Sequence, residues 1–200
     1  MTVEDRREQI LAAAERVTTV DGLEALTMRS AATAAGVSLR LVQYYFHSKA
    51  GLLDAVLTRL SERGYAKSAA RIEAIDGASA AVRLRMFARS VLPTDEEGRR
   101  FHRLGVSFAS LALREPAVAQ SAYSANLAGL EAVLTRMIDD AAAESGTDRI
   151  DATAEARILM SALHGLGTMV MVGRIGEIEA TELVEQLLDG RTWADAPDRS

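Results

Sequence analysis

Apolar residues recur along this chain at intervals of three and four, and no alternating run bounded by hairpin turns interrupts that rhythm. Ile10, Leu11, Ala14 and Val17 fall on one face of a helix predicted from about Val3 to Val20, which Asp21-Gly22 stops. Leu23 and Leu26 lead to a second start signal. Thr27 is placed to cap a short helix from Met28 to Ala35, Gly36 supplies a turn residue tolerant of positive φ, and Ser38 is placed to cap a further short helix from Leu39 to Phe46. Two short helices joined by a glycine-containing turn form a helix-turn-helix, and Ser48 then introduces a long helix from Lys49 to about Ile72.

The same spacing predicts helices over Ser79–Leu92, ended by Pro93, over Glu96–Arg114, ended by Pro116, and over Ala117–Ser145. A polar loop at 145–151 precedes helices over Ala152–Arg174 and Ala180–Leu188. The fold class is therefore all-α with about nine helices: an N-terminal three-helix head over residues 1–48, followed by a longer helical region over 49–200.

Composition narrows this further. With 200 residues, 48% of them apolar, the chain can bury a sizeable core, and the absence of cysteine excludes disulfides, thiolate nucleophiles and cysteine metal sites. The charged start "MTVEDRREQI" differs from a signal peptide and no apolar run approaches a membrane span, so a cytoplasmic location without membrane partners is expected. The net charge of −5 argues against a nucleic-acid partner only if charge is spread evenly, and it is not. Ala25 to Leu53 holds Arg29, Arg40 and Lys49 and no acid, while residues 61–200 carry 16 basic against 21 acidic residues, which accounts for the whole excess.

The acid-free window contains "VSLRLVQYYFHSK", Val37 to Lys49. On a helix from Leu39 to Phe46, Val42 and Phe46 share an inward face, while Leu39, Arg40, Gln43 and Tyr44 fan over the other side. Arginine can contact guanine through two hydrogen bonds, glutamine adenine, and apolar or aromatic side chains the thymine methyl group. Tyr45 and Lys49, towards the helix end, suit phosphate oxygens, and Thr27 and Ser38 with the helix starts they cap offer further phosphate anchors.

From about Arg6 to Leu57, and above all in "LTMRSAATAAGVSLRLVQYYFHSKAGLL", the chain resembles the N-terminal domain of TetR-family transcriptional repressors. That resemblance implies a homodimer that binds a near-palindromic double-stranded DNA operator and releases it when a small molecule enters the helical C-terminal region. Carried over by position, it puts base reading on Leu39, Arg40, Gln43 and Tyr44 and phosphate contacts on Thr27, Tyr45 and Lys49. Two positions depart from the family pattern. Gly51 stands where relatives often have Glu, so Ser48 lacks its capping-box partner and the fourth helix is expected to start loosely. Gln43 stands where many have tyrosine or another bulky residue, which alters the operator read.

Catalytic readings are weaker. His47, His102 and His164 show no metal-ligand spacing, Asp139-Asp140 and Glu96-Glu97 are adjacent pairs that diverge on a helix, and no phosphate loop or nucleophile elbow is present. No enzyme activity, cofactor or metal is expected. "GLGTMVMVG" at 165–173 lacks the preceding strand of a dinucleotide motif, and its glycines are assigned to close helix packing. For an apolar or amphipathic effector the expected contacts are Phe101, Leu104, Phe108, Tyr123, Asn126, Met160 and His164, a mostly apolar set with a few polar guides. The last two helices, with "ALHGLGTMVMVG" and "ELVEQLL", are expected to pair with those of a second subunit. The competing class is a helical small-molecule-binding protein or enzyme whose helix-turn-helix is vestigial.

Overall fold

A computed structural model describes residues 3–73, 77–147 and 150–191. Among them are nine α-helices and no strand: α1 (Val3–Val20), α2 (Met28–Ala35), α3 (Leu39–Phe46), α4 (Lys49–Glu73), α5 (Ala80–Val91), α6 (Glu96–Arg114), α7 (Pro116–Ser145), α8 (Ala152–Met171) and α9 (Glu177–Asp189). A single 3-10 turn, Leu23–Ala25, follows α1. None of the described helices is long and apolar enough to cross a membrane.

The helices divide between two compact units. The first gathers the chain up to Gly64 with Arg103–Asn126, and the second takes Tyr65–His102 and the chain from Leu127 onward. In the first, Ile10, Ala13 and Ala14 of α1 are completely buried with Leu26, Ala31, Val42, Leu52, Leu53 and Val56. The small residues Ala31, Ala32 and Ala35 let α2 lie close against α1, and Gln9 reinforces the contact by donating to the Ala35 carbonyl at 2.8 Å. Leu104, Phe108, Leu111 and Ala112 of α6 complete this core. Arg59 of α4 pairs with Glu8 and Glu15 of α1, and Arg63 reaches Glu15 at 2.6 Å. Such partly exposed pairs add about 0–1 kcal/mol each, so apolar burial decides the stability of the unit.

In the second unit, Leu84, Phe87 and Ala88 of α5 pack with Leu134 and Ile138 of α7, Ala156, Leu159 and Leu163 of α8, and Ala180, Val184 and Leu188 of α9. Arg85 and Arg89 of α5 both pair with Glu185 of α9, at 2.7 and 2.6 Å.

The expected boundaries of α1, α2, α3 and α6 coincide with the observed ones; the far end of α4, both ends of α5 and the far end of α9 differ by one residue, and three further ends differ for physical reasons. Pro116 opens α7 instead of only ending α6, because a first-turn residue needs no N–H partner. Helix α8 stops at Met171, not Arg174: Gly173 turns left-handed at φ 71°, and the N–H of Arg174 closes back on the Met169 carbonyl at 2.8 Å. Helix α9 begins at Glu177, not Ala180, and its acidic first turn, Glu177 and Glu179, suits the positive helix end.

Candidate nucleic-acid interface and effector residues

The head is assembled by local capping. Thr27 accepts the Ser30 N–H at 2.9 Å while Ser30 Oγ accepts the Thr27 N–H at 2.8 Å, a reciprocal box that fixes the start of α2. Gly36 takes φ 66°, ψ 36°, and its N–H bonds back to α2, so the chain turns sharply into Ser38. Ser38 Oγ then accepts the Leu41 N–H at 3.2 Å.

This geometry sorts the side chains of α3. Val42 and Phe46 are buried in the first core, with the Arg7 guanidinium 5.3 Å from the Phe46 ring centroid. Arg40 and Gln43 are exposed, Leu39 is half-buried, and Tyr44 keeps 68% of its surface in solvent, a large exposure for an aromatic residue among apolar neighbours. Tyr45 packs part of its ring against the core and meets Tyr44 edge-to-face, with centroids 5.2 Å apart. Lys49 is half-buried at the first residue of α4, Arg29 is exposed on the first turn of α2, and the Thr27 hydroxyl is already engaged with Ser30.

The start of α4 is tighter than the missing Glu suggested. Ser48 Oγ accepts the Gly51 N–H at 3.1 Å, so the helix is capped without a reciprocal carboxylate.

The expected effector residues fall in both units. In the first, Leu104 and Phe108 belong to the core, Tyr123 packs half-buried against it, and Asn126 donates to the buried Ser61 hydroxyl. Burial raises the Tyr123 hydroxyl above its ordinary pKa. In the second, Phe101 is partly exposed, Met160 packs against the core, and His164 is exposed.

Beside His164 lies a feature that sequence spacing missed. The rings of His102 and His164 are 5.4 Å apart, and His102 Nε2 is 3.1 Å from the Thr168 hydroxyl oxygen. Thr168 gives its only hydroxyl proton to the His164 carbonyl at 2.9 Å, so His102 Nε2–H must be the donor to Thr168, which assigns the tautomer. Burial, and secondarily His164, lowers the His102 pKa. Gly167 gives the ring its place: a Cβ there would lie 2.6 Å from His102 Cε1 and 3.2 Å from Pro93 Cδ. Within the chain, a Cβ at Gly165 would meet nothing within 4 Å, so the intrachain packing falls on Gly167. Among the described residues no group of three or more acidic or histidine side chains could hold a metal ion.

On its outer face α3 leaves Arg40, Gln43 and Tyr44 exposed to solvent. The family model for bacterial regulatory proteins of the tetR family matches residues 10–56, and that for the C-terminal region of BetI-type transcriptional repressors matches residues 80–192. The chain belongs to the TetR family. It is a DNA-binding transcriptional regulator of that family, whose members are in general not enzymes and work as dimers that bind operators and small-molecule effectors. A TetR-family transcriptional regulator from Rhodococcus sp. superposes with a TM-score of 0.79 at 22% identity, over 94% of this chain and 98% of that one. The multidrug binding protein EbrR complexed with imidazole gives 0.64 at 28% identity, over 91% and 94%. The same protein complexed with proflavin gives 0.63 at 25% identity, over 91% and 99%. No curated protein matches the chain.

Proposed function

We propose that this TetR-family protein is a repressor that holds a near-palindromic operator with two heads and releases it when a small apolar or amphipathic molecule binds its helical C-terminal region. Residues 1–48 form the DNA-binding domain in this reading, and residues 49–200 carry sensing and dimerisation. The carrying observation is the face of α3: Arg40, Gln43 and Tyr44 stand in solvent while Val42 and Phe46 anchor the helix from beneath. Leu39, Arg40, Gln43 and Tyr44 meet base edges, and Tyr45, Lys49 and the capped helix starts at Thr27 and Ser38 meet phosphates. Because the Thr27 hydroxyl is engaged with Ser30, the phosphate there is held by first-turn amides more than by that side chain.

Dimerisation uses α8 and α9: Ile158 and Met169 of α8, Val172 just past its end and Ile178 of α9 are exposed, the last two at 72% and 77%. The multidrug binding relative, solved with imidazole and with proflavin, supports a small organic effector for this chain as well. Phe101, Met160 and His164, on the second unit, are the contacts free to meet it. In the first unit, Leu104, Phe108 and Tyr123 are committed to packing and Asn126 to the Ser61 hydroxyl.

Selection of bound sequences from random DNA tests the reading. An inverted repeat should emerge, and Arg40→Ala should lose about 1–3 kcal/mol on it and relax one base position per half-site. Lys49→Ala should weaken selected and scrambled DNA alike and lower the salt dependence by about one charge per subunit. Indistinguishable base-by-base profiles for the two variants would refute the division of roles, and recovery of no preferred sequence would refute operator reading itself.

A further inference from the structure

The chain leaves α3 through His47 at φ 61°, ψ −47°, the one non-glycine residue with positive φ among the described residues. With negative ψ this is not the left-handed helical region that polar residues tolerate. It is a γ-turn of the strained hand, in which the Ser48 N–H closes on the Phe46 carbonyl at 2.6 Å. Such a conformation persists only where surrounding contacts impose it.

The contact that matters is with Gly51. The turn aims the Phe46 carbonyl oxygen at the first turn of α4, and a Cβ built on Gly51 would fall under 3.0 Å from that oxygen, closer than real Cβ atoms come. The obstruction is backbone, so no side chain can swing aside to relieve it. Phe46 cannot shift as a whole either, because its ring is buried in the core. A side chain at 51 therefore requires the Phe46–His47 peptide to rotate, and that rotation takes His47 out of its positive φ. The two residues are halves of one conformation.

The turn separates Tyr45 from Lys49, the two side chains at the end of the reading helix and the start of α4. We infer that Gly51 is a positioning residue for DNA binding: by admitting the Phe46 carbonyl it locks the His47 turn, which fixes the spacing of Tyr45 and Lys49 against successive phosphates. This rests on the reading of α3 and α4 as the DNA-contacting elements. The glycine is thus a determinant of the docking geometry, touching no DNA itself.

The test uses the full-length dimer and the inverted repeat that the wild-type chain selects from random DNA. Gly51→Ala should bind that repeat at least tenfold more weakly, with a reduced salt slope and an unchanged circular dichroism spectrum. It should also abolish the strong intraresidue N–H to Hα nuclear Overhauser cross-peak that positive φ gives His47. His47→Val, whose branched side chain resists positive φ, should reproduce the binding defect by the opposite route. His47→Gly should keep affinity within about twofold and raise the melting temperature, since glycine holds this conformation without strain. Should Gly51→Ala fail to fold, the two His47 variants decide: wild-type affinity in His47→Val, or a lowered melting temperature in His47→Gly, overturns the proposal. Wild-type affinity and salt slope in folded Gly51→Ala overturn it as well. If Arg40→Ala alters base preference while Gly51→Ala binds normally, only this proposal fails. If the wild type selects no DNA, the reading of α3 fails and takes the proposal with it.

Discussion

Gly167→Ala offers a test of the packing of α6 on α8 in which the sign of the effect should reverse with the residue opposite. At an open helical position, alanine is favoured over glycine by about 1 kcal/mol. Here the added Cβ would sit 2.6 Å from His102 Cε1 and 2.8 Å from Nδ1, roughly 1 Å inside the ordinary carbon–carbon contact distance. A ring that yields strains its bond with the Thr168 hydroxyl, and the added Cβ would also meet Pro93 Cδ at 3.2 Å. Overpacking of this kind costs about 1–3 kcal/mol, and losing a half-buried hydrogen bond about 1 kcal/mol more. After subtracting the gain in helix propensity, the net loss should be about 1–3 kcal/mol. For a chain of this size each kcal/mol moves the melting temperature by about 2–4 °C. In a His102→Ala background the main obstruction is gone, and Gly167→Ala should be neutral or stabilising by up to about 1 kcal/mol. Thermal and urea melts of the four proteins of this cycle, at one fixed protein concentration and pH 7.5, give the comparison. Equal destabilisation in both backgrounds would show that the His102 ring does not lie on Gly167.

Three further outcomes follow from other contacts. Asn126→Ala removes the donor to the buried Ser61 hydroxyl and should cost about 1–2 kcal/mol in a urea melt, most of which Ser61→Ala in the same chain should restore; a neutral Asn126→Ala would refute the bond. Because burial and His164 hold His102 below its ordinary pKa, the unfolded chain binds the proton more readily. Stability should therefore be greatest above about pH 6.5 and fall as pH drops through that value, with a shallower fall in His102→Ala; parallel pH profiles would refute the effect. Val172→Glu or Ile178→Glu should convert the dimer to monomer in sedimentation at micromolar concentration, and an unaffected dimer would place the interface elsewhere.

The head was legible in the sequence because its signals are local. Apolar spacing of three and four fixed which residues of α1 and α3 turn inward, while Thr27 and Gly36 mark the ends of α2 and Ser38 the start of α3 through bonds spanning three to five residues. The base-reading candidates Arg40, Gln43 and Tyr44 could be named for the same reason, since a helix buried through Val42 and Phe46 has only one other face. The later boundaries drifted where the signal was weaker: the polar first turn of α9 carries no apolar period, and Gly173 can end a helix or continue a loop.

Contacts between distant segments were not legible. His102 meets Thr168 across 66 positions, Asn126 meets Ser61 across 65, and Leu104 and Phe108 join a core built by α1 to α4. Periodicity says which face of a helix seeks burial and nothing about which helix will bury it, so residues of one apolar stripe could be read equally as pocket or core. Gly51 shows the limit most sharply. In sequence it is a missing capping partner and predicts a loose helix start. In the folded chain the direction of the Phe46 carbonyl, set by a buried ring and a strained turn, makes that missing Cβ the condition for a tight one.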